Sequence, residues 1–416
     1  MHVLSGVIGV LILIGLAYLL SEQRSRINWR TVLGALAIQV TFASIVLYSP
    51  MGRDALTGFS NVVQDVINYS NNGIDFLFGG LVSDKMFALF GGGGFVFALR
   101  VLPVVVFFSA LVSVLYYFGI MQFIVNTLGR ALSYALGTSR PESISATANI
   151  FLGISEAPLT IRPYLKSMTR SQFFAVMVGG MASVAGSVLV GYAQMGIPLD
   201  YLLAASFMAA PAGLLMAKLI IPETEVVDDT KDTSAGEEEK PANAIDAAAQ
   251  GASQGMMVAM NIGAMLLAFV GLIALINGML SGIGEWVGIP SLSLDMIFGY
   301  LFLPLAYIAG VWDFDAAQQM AILFGTKTTV NEFVAFSQLA PMIASGALEP
   351  RVEAIIAFSL CGFANLGSIA ILLGSMGVMA PSRRNDIATM GMKTLTAAIL
   401  ANLLNAAVAG IFISLI

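Results

Sequence analysis

Apolar runs as long as a bilayer crossing recur along this chain, and each must satisfy its own backbone without help from water. The runs fall at 3–20, 31–49, 95–121, 173–194, 199–221, 256–280, 353–374 and 393–415. They are continuous in Leu, Ile, Ala and Gly and do not alternate, which points to helices and away from a β-barrel. Charged residues make up 11% of the 416 positions, about half the share found in soluble proteins. The expected fold is an all-α polytopic membrane protein with about eight transmembrane helices.

The run at 3–20 sits where a secretory leader would. It has no basic segment before it and no small-residue cleavage pattern after it, only Arg24, Arg26 and Arg30. It reads as a retained crossing with the N-terminus outside. Placing Arg24, Arg26 and Arg30 in the cytoplasm puts Arg130, Arg140, Arg162, Lys166, Arg170, Lys218, Lys231, Lys240, Arg383, Arg384 and Lys393 there too. That is 14 of the 19 basic residues, as the positive-inside tendency requires. An even number of crossings leaves both termini on the periplasmic side.

Other function classes find little footing. The single Cys361 and single His2 argue against disulfides, a zinc site or histidine catalysis. No basic cluster suggests nucleic acid. The acidic stretch 222–241, with Asp228-Asp229 and Glu237-Glu238-Glu239, reads as a solvated loop dividing the chain in two. Gly91-Gly92-Gly93-Gly94 is not a phosphate loop, because no Lys-Ser or Lys-Thr follows it and no strand leads into it.

One arrangement occurs twice. Gly153-Ile154-Ser155-Glu156-Ala157-Pro158-Leu159 precedes the small-residue run Gly179-Gly180-Met181-Ala182-Ser183-Val184-Ala185-Gly186. Asn331-Glu332-Phe333-Val334-Ala335 precedes Cys361-Gly362-Phe363-Ala364-Asn365-Leu366-Gly367-Ser368. Gly180, Ala182 and Ser183 align with Gly362, Ala364 and Asn365 at a constant offset of 182. An odd number of crossings separates the copies, so they insert in opposite senses. The segments around Glu156 and Glu332 are too short and polar to span and read as re-entrant hairpins of an inverted repeat, meeting near mid-membrane.

A carboxylate at that depth costs several kcal/mol unless partnered, so Glu156 and Glu332 are the sharpest functional candidates. The plainer alternative is that each caps hairpin amides. At the breaks, small residues permit unwinding near Ser183 and Asn365. Freed carbonyls beside a hydroxyl or amide suit a weakly hydrated cation such as Na⁺, or the hydroxyls of a sugar. Small residues also serve simple helix packing. Phe333 and Phe336 read as core and Phe363, inside the break, as a ligand contact. Lys327 is a candidate partner for the charge of Glu332, and Asp313 with Asp315 would cap the helix that follows them.

These motifs, together with Arg100-Val101-Leu102-Pro103, Ala204-Ala205-Ser206-Phe207-Met208-Ala209-Ala210-Pro211 and Arg383-Arg384, resemble the concentrative nucleoside transporter family, in its bacterial sodium-coupled branch. The similarity runs through nearly the whole chain. It implies a homotrimer in the bacterial inner membrane, with Na⁺ as coupling ion, a nucleoside as substrate and no organic cofactor. Spans one, two, three and six would form a scaffold around a mobile transport domain. The implied division is 1–121 (scaffold and interfacial helices), 122–222 (first transport repeat), 223–255 (acidic cytoplasmic loop and connecting helix), 256–293 (long scaffold helix) and 294–416 (second transport repeat).

The resemblance also implies roles. Glu332, Asn365 and Ser368 would bind ribose. Ser155 and Glu156 would read the base, with Ile154, Val188 and Phe363 at the pocket. The side chains of Asn149 and Ser183 and the carbonyls of Leu152 and Val184 would hold Na⁺. Ile154 departs from the glutamine frequent in the family and offers no side-chain hydrogen bond, so relaxed pyrimidine preference or a shift toward purines is expected. The expected function is sodium–nucleoside symport by alternating access. The alternative ion is the proton, in a purine- or pseudouridine-type symporter. An intramembrane enzyme would need a nucleophile or metal ligands beside the glutamates, and none accompanies them. A passive channel would need a continuous polar path.

Overall fold

The computed structural model describes residues 2–89, 96–225 and 241–416, and every regular element among them is helical. The tetraglycine 91–94 and the acidic residues of 226–240 lie outside the described residues. The chain opens with α1 (His2–Leu19), α2 (Trp29–Ala43, prolonged by the wide turn Ser44–Tyr48) and the polar α3 (Pro50–Phe78). Short α4 (Asp84–Leu89) and α5 (Phe97–Arg100) lead to α6 (Leu102–Tyr117), α7 (Ile120–Leu136) and α8 (Arg140–Ala148). Next come α9 (Arg170–Ala182), α10 (Gly186–Gln194), α11 (Leu199–Ile220) and the 44-residue α12 (Ala244–Val287). The last third holds α13 (Leu294–Leu301), α14 (Leu303–Ile308), α15 (Phe314–Thr329), α16 (Glu332–Ala344), α17 (Pro350–Leu360), α18 (Leu366–Met379) and α19 (Arg384–Ile413).

Among the described residues, seven helical stretches are long and apolar enough to cross a membrane: α1, α2 with its wide turn, α5–α6, α9–α10, α11, α12 and α19. The run at 353–374 is broken at its small residues, as expected, into α17 and α18, neither of them long enough to cross alone. Helix starts follow side-chain caps. Thr169 and Gln172 exchange reciprocal bonds at the head of α9, at 3.1 and 3.0 Å. Asp313 Oδ1 accepts from Ala316 N at 2.9 Å at the start of α15, the capping role expected of it. Asn243 starts α12 well ahead of the apolar run at 256 by accepting from Asp246 N.

Burial sorts the crossing helices into two groups. The most apolar windows of α9–α10 and α11 are 89% and 94% buried, whereas those of α12, α5–α6, α1 and α2 are 6%, 17%, 28% and 33% buried. The first pair, with α17 and α19, makes an inner body; the second group wraps one side of it. Within the wrap α12 lies along α6 through Gly251 and Gly255, four residues apart. A methyl on Gly255 would lie 2.8 Å from Val106 Cα, so only the missing Cβ allows this approach.

Charged loop ends gather at one end of the body. Glu22 meets Arg170 at 3.0 Å and Lys393 at 2.5 Å, and Arg383 donates to the Met168 carbonyl at 2.7 Å. Partial burial pushes the Glu22 carboxyl up, but the two cations outweigh it and hold it below the ordinary range. Arg351 ties other loop ends together, donating to the carbonyl of Gly310 at 3.0 Å and Ser414 Oγ at 2.7 Å.

Candidate functional site

The inner body contains two helix breaks. Between α9 and α10 the chain is extended at Ser183, and α10 restarts at Gly186, whose N–H donates to the Phe151 carbonyl at 3.0 Å. A methyl on Gly186 would sit 3.0 Å from that same oxygen, so glycine is what lets the 149–156 segment lie against the break. Between α17 and α18 the chain is extended at Asn365, whose Oδ1 caps α18 by accepting from Ser368 N at 2.9 Å and Ser368 Oγ at 3.1 Å. The breaks touch directly, since Phe363 N donates to the Ser183 carbonyl at 3.1 Å.

Of the expected residues, Glu332, Asn365 and Ser368 come together. Val330 and Asn331 link α15 to α16, and Asn331 accepts from Val334 N at 2.9 Å, placing Glu332 in the first turn of α16. Glu332 is buried. Its Oε2 accepts from Asn365 Nδ2 at 3.1 Å and its Oε1 from the Tyr192 hydroxyl at 3.1 Å. Tyr192 lies on α10, one turn beyond Val188, so α10 joins the first break to the second acid. Its ring packs on Phe333 and Phe336, with centroids 4.7 and 4.3 Å away, which makes those two phenylalanines core as expected. Phe363 is half-buried.

The other expected residues cluster at the first break. Asn149 ends α8, with its amide 3.3 Å from where a Gly179 methyl would stand. Its Nδ2 donates to the Ser145 carbonyl at 2.9 Å, while its Oδ1 is buried with no hydrogen-bond partner. Ser183 Oγ donates to the Gly179 carbonyl at 2.8 Å, which leaves its lone pairs free. Leu152 and Val184 are buried beside them. Ile154 is buried against Gly180, its Cγ1 3.0 Å from where a methyl there would be. Ser155 and Glu156 are half-buried, and Glu156 Oε2 accepts a long bond from Gly153 N at 3.4 Å.

Lys327 acts on the charge of Glu332, as expected, but through space and without a direct ion pair. Its Nζ donates to the Ser359 carbonyl at 2.6 Å and Asn402 Oδ1 at 2.7 Å, and it makes no ion pair among the described residues. Sequence reasoning also missed Tyr192 and Asn402, which belong to no local motif.

A buried carboxylate held between two broken helices, inside a body wrapped by crossing-length apolar helices, defines a multi-pass solute transporter. Residues 8–81 match the family described as Na+ dependent nucleoside transporter N-terminus, 98–199 match nucleoside recognition, and 201–410 match Na+ dependent nucleoside transporter C-terminus. The chain belongs to the concentrative nucleoside transporter family. It is 47% identical to the nucleoside permease NupC of Helicobacter pylori, over 99% of this chain and 98% of that one. It is 37% identical to human solute carrier family 28 member 3, over 98% of this chain and 59% of that protein. The transporter CNTnw in an inward-facing substrate-bound state is 54% identical, with a TM-score of 0.95 over 100% of this chain and 99% of that one. A doubly substituted CNTnw in an outward-facing state gives 0.98 over the whole of both chains, at the same identity. These relatives are transporters and not enzymes.

Proposed function

We propose that this protein imports nucleosides by sodium-coupled symport. The observation that carries the reading is the buried Glu332 carboxylate, oriented by Tyr192 and Asn365 at the meeting of the two breaks. A carboxylate and an amide side by side match the paired hydroxyls of ribose, with Ser368 behind them. The segment Ile154-Ser155-Glu156 and the side chains of Val188 and Phe363 complete a base pocket. A nucleoside lacking a ribose hydroxyl would leave these buried groups unpaired, which is the strongest form of discrimination open to such a site.

Sodium is favoured by the donor set at the first break. The buried Asn149 Oδ1, unpartnered among the described residues, and the Ser183 hydroxyl both belong to side chains that border Gly179, and the carbonyls of Leu152 and Val184 would be further oxygen donors. All are neutral oxygens, suited to a monovalent cation and not to a proton. Binding there would fix the 149–156 segment, and with it Ser155 and Glu156.

In this reading the 149–168 and 314–344 segments are re-entrant hairpins of an inverted repeat, and the well-buried helices form the moving body. The least buried crossing helices, α1, α2, α6 and α12, form the scaffold, whose apolar outer faces suit lipid and two further copies in a trimer. Both ends of the chain lie on the periplasmic side of the inner membrane, because Arg170, Arg383 and Lys393 gather with Glu22 at the other end.

The test is uptake of labelled uridine into proteoliposomes under inward Na⁺ or H⁺ gradients, with and without Glu332→Gln. Uptake driven by Na⁺ and abolished by Glu332→Gln in a folded protein is expected. Uptake driven only by H⁺ would replace the ion; uptake indifferent to both gradients, or normal in Glu332→Gln, would sink the reading.

A further inference from the structure

Asn402 sits in the middle of α19, fully buried, where no motif marks it. Its Nδ2 donates to two carbonyls at once, Ala182 at 2.7 Å and Cys361 at 3.2 Å. Ala182 ends α9 at the first break, and Cys361 follows α17 at the second. Its Oδ1 accepts from Lys327 Nζ at 2.7 Å, and that ammonium also takes the Ser359 carbonyl. Carbonyls at the ends of these half-helices have no intrahelical donors, so one amide and one ammonium close off both breaks together. The approach is tight: a methyl on Gly362 would run into the Asn402 amide and stand 2.8 Å from the Ala182 carbonyl.

The two carbonyls flank the two sites. Ala182 precedes Ser183 and Val184, while Cys361 lies two residues before Phe363 and four before Asn365, which holds Glu332. We propose that Asn402 is the positioning residue that couples the cation site at the first break to the ribose site at the second. This rests on the sodium–nucleoside reading above. With the amide fully buried and donating to both carbonyls, the peptides at 182 and 361 move together or a buried hydrogen bond is lost. That loss is large enough to supply the roughly 5- to 150-fold change in affinity typical of coupling between two sites. Linkage makes the effect reciprocal.

The experiment measures uridine binding to purified full-length protein, in Na⁺ and in choline at equal ionic strength. The ratio of the two Kd values is the coupling. Asn402→Asp keeps the acceptor for Lys327 but cannot donate to both carbonyls; Asn402→Ser removes the bridge with less charge at stake. For either variant the ratio should fall about fivefold or more, while the Kd in choline changes by less than about threefold. Lys327→Met, which frees the Asn402 amide to turn, should give a smaller fall in the same direction. A purely structural role would lower the melting temperature and shift both Kd values in parallel, leaving the ratio intact; that result, or an unchanged ratio with unchanged Kd values, overturns the proposal. If the unsubstituted protein already shows a ratio of one, the sodium reading has failed, and the coupling role falls with it.

Discussion

The Tyr192 hydroxyl donates to Glu332 Oε1 at 3.1 Å, joining residues 140 positions apart in the chain. The bond crosses from the first broken helix to the acid of the second half, and Tyr192 is fully buried in making it. Phe333 and Phe336 hold the ring edge-on and tilted, so its orientation is set by packing before any ligand binds.

Tyr192→Phe therefore separates packing from hydrogen bonding. The ring contacts survive and only the donor is lost, leaving one carboxylate oxygen short of a partner at about 1–2 kcal/mol. Nucleoside Kd should rise roughly tenfold with little change in melting temperature, by isothermal titration and thermal unfolding of purified protein. An unaltered Kd would mean that Tyr192 serves only the core.

Gly362 and Gly374 make a paired test of the second break. A methyl at Gly362 meets the Asn402 amide and the Ala182 carbonyl, neither of which is a flexible side-chain tip. Gly362→Ala should cost about 1–3 kcal/mol and lower the yield of monodisperse protein. Gly374 lies within α18 facing open space, so Gly374→Ala should be neutral or stabilising by up to about 1 kcal/mol. Equal behaviour of the two variants on size-exclusion and thermal unfolding would contradict the close approach at Gly362.

A buried ion pair gives a third prediction. Lys218 Nζ lies 2.7 Å from Glu142 Oε2 and donates to Ser171 Oγ at 3.0 Å, tying α11 to α8 and α9. Both side chains are nearly inaccessible. Lys218→Met alone strands the carboxylate and should cost about 3–5 kcal/mol. Adding Glu142→Gln should recover most of that, because the amide still accepts from Ser139 N, as Glu142 Oε1 now does at 2.7 Å. Equal melting temperatures for the single and double variants would show that the pair is not what holds these helices.

The parts of the site legible in sequence are those with a local signature. Glu332 and Asn365 stand out because a charge in an apolar run and a small-residue break are both unusual for a crossing helix, whereas Ser368 is reached only through the family resemblance. Tyr192 and Asn402 could not stand out. Neither belongs to a local motif, and their partners arrive from 140 and 220 residues away. Lys327 is visible as a charge partner of Glu332, but its direct acceptors, a half-helix carbonyl and a side chain of α19, are not displayed by the sequence. The break across 361–365 is legible too, because small residues cluster there as they do at 179–186. The start of α12 is hidden, since Ala-rich turns after Asn243 are helical without being strongly apolar.

Ile154 supplies the last prediction. It precedes Ser155 and Glu156 and packs onto Gly180, buried, with no capacity to bond a base edge. Ile154→Gln would place an amide at the same point of the segment. Turned toward the pocket, that amide can exchange one donor and one acceptor with a pyrimidine edge, about 1 kcal/mol or more per bond. Turned toward Gly180, it would be buried without a partner, so the inward orientation is the one the protein favours. Competition against labelled uridine uptake in proteoliposomes should then show the uridine-to-adenosine preference rising by roughly tenfold. The Na⁺ dependence should stay as it was, because Asn149 and Ser183 are untouched. If the preference stays put while uptake persists, residue 154 does not read the base, and selectivity must arise from Ser155, Glu156 or Phe363.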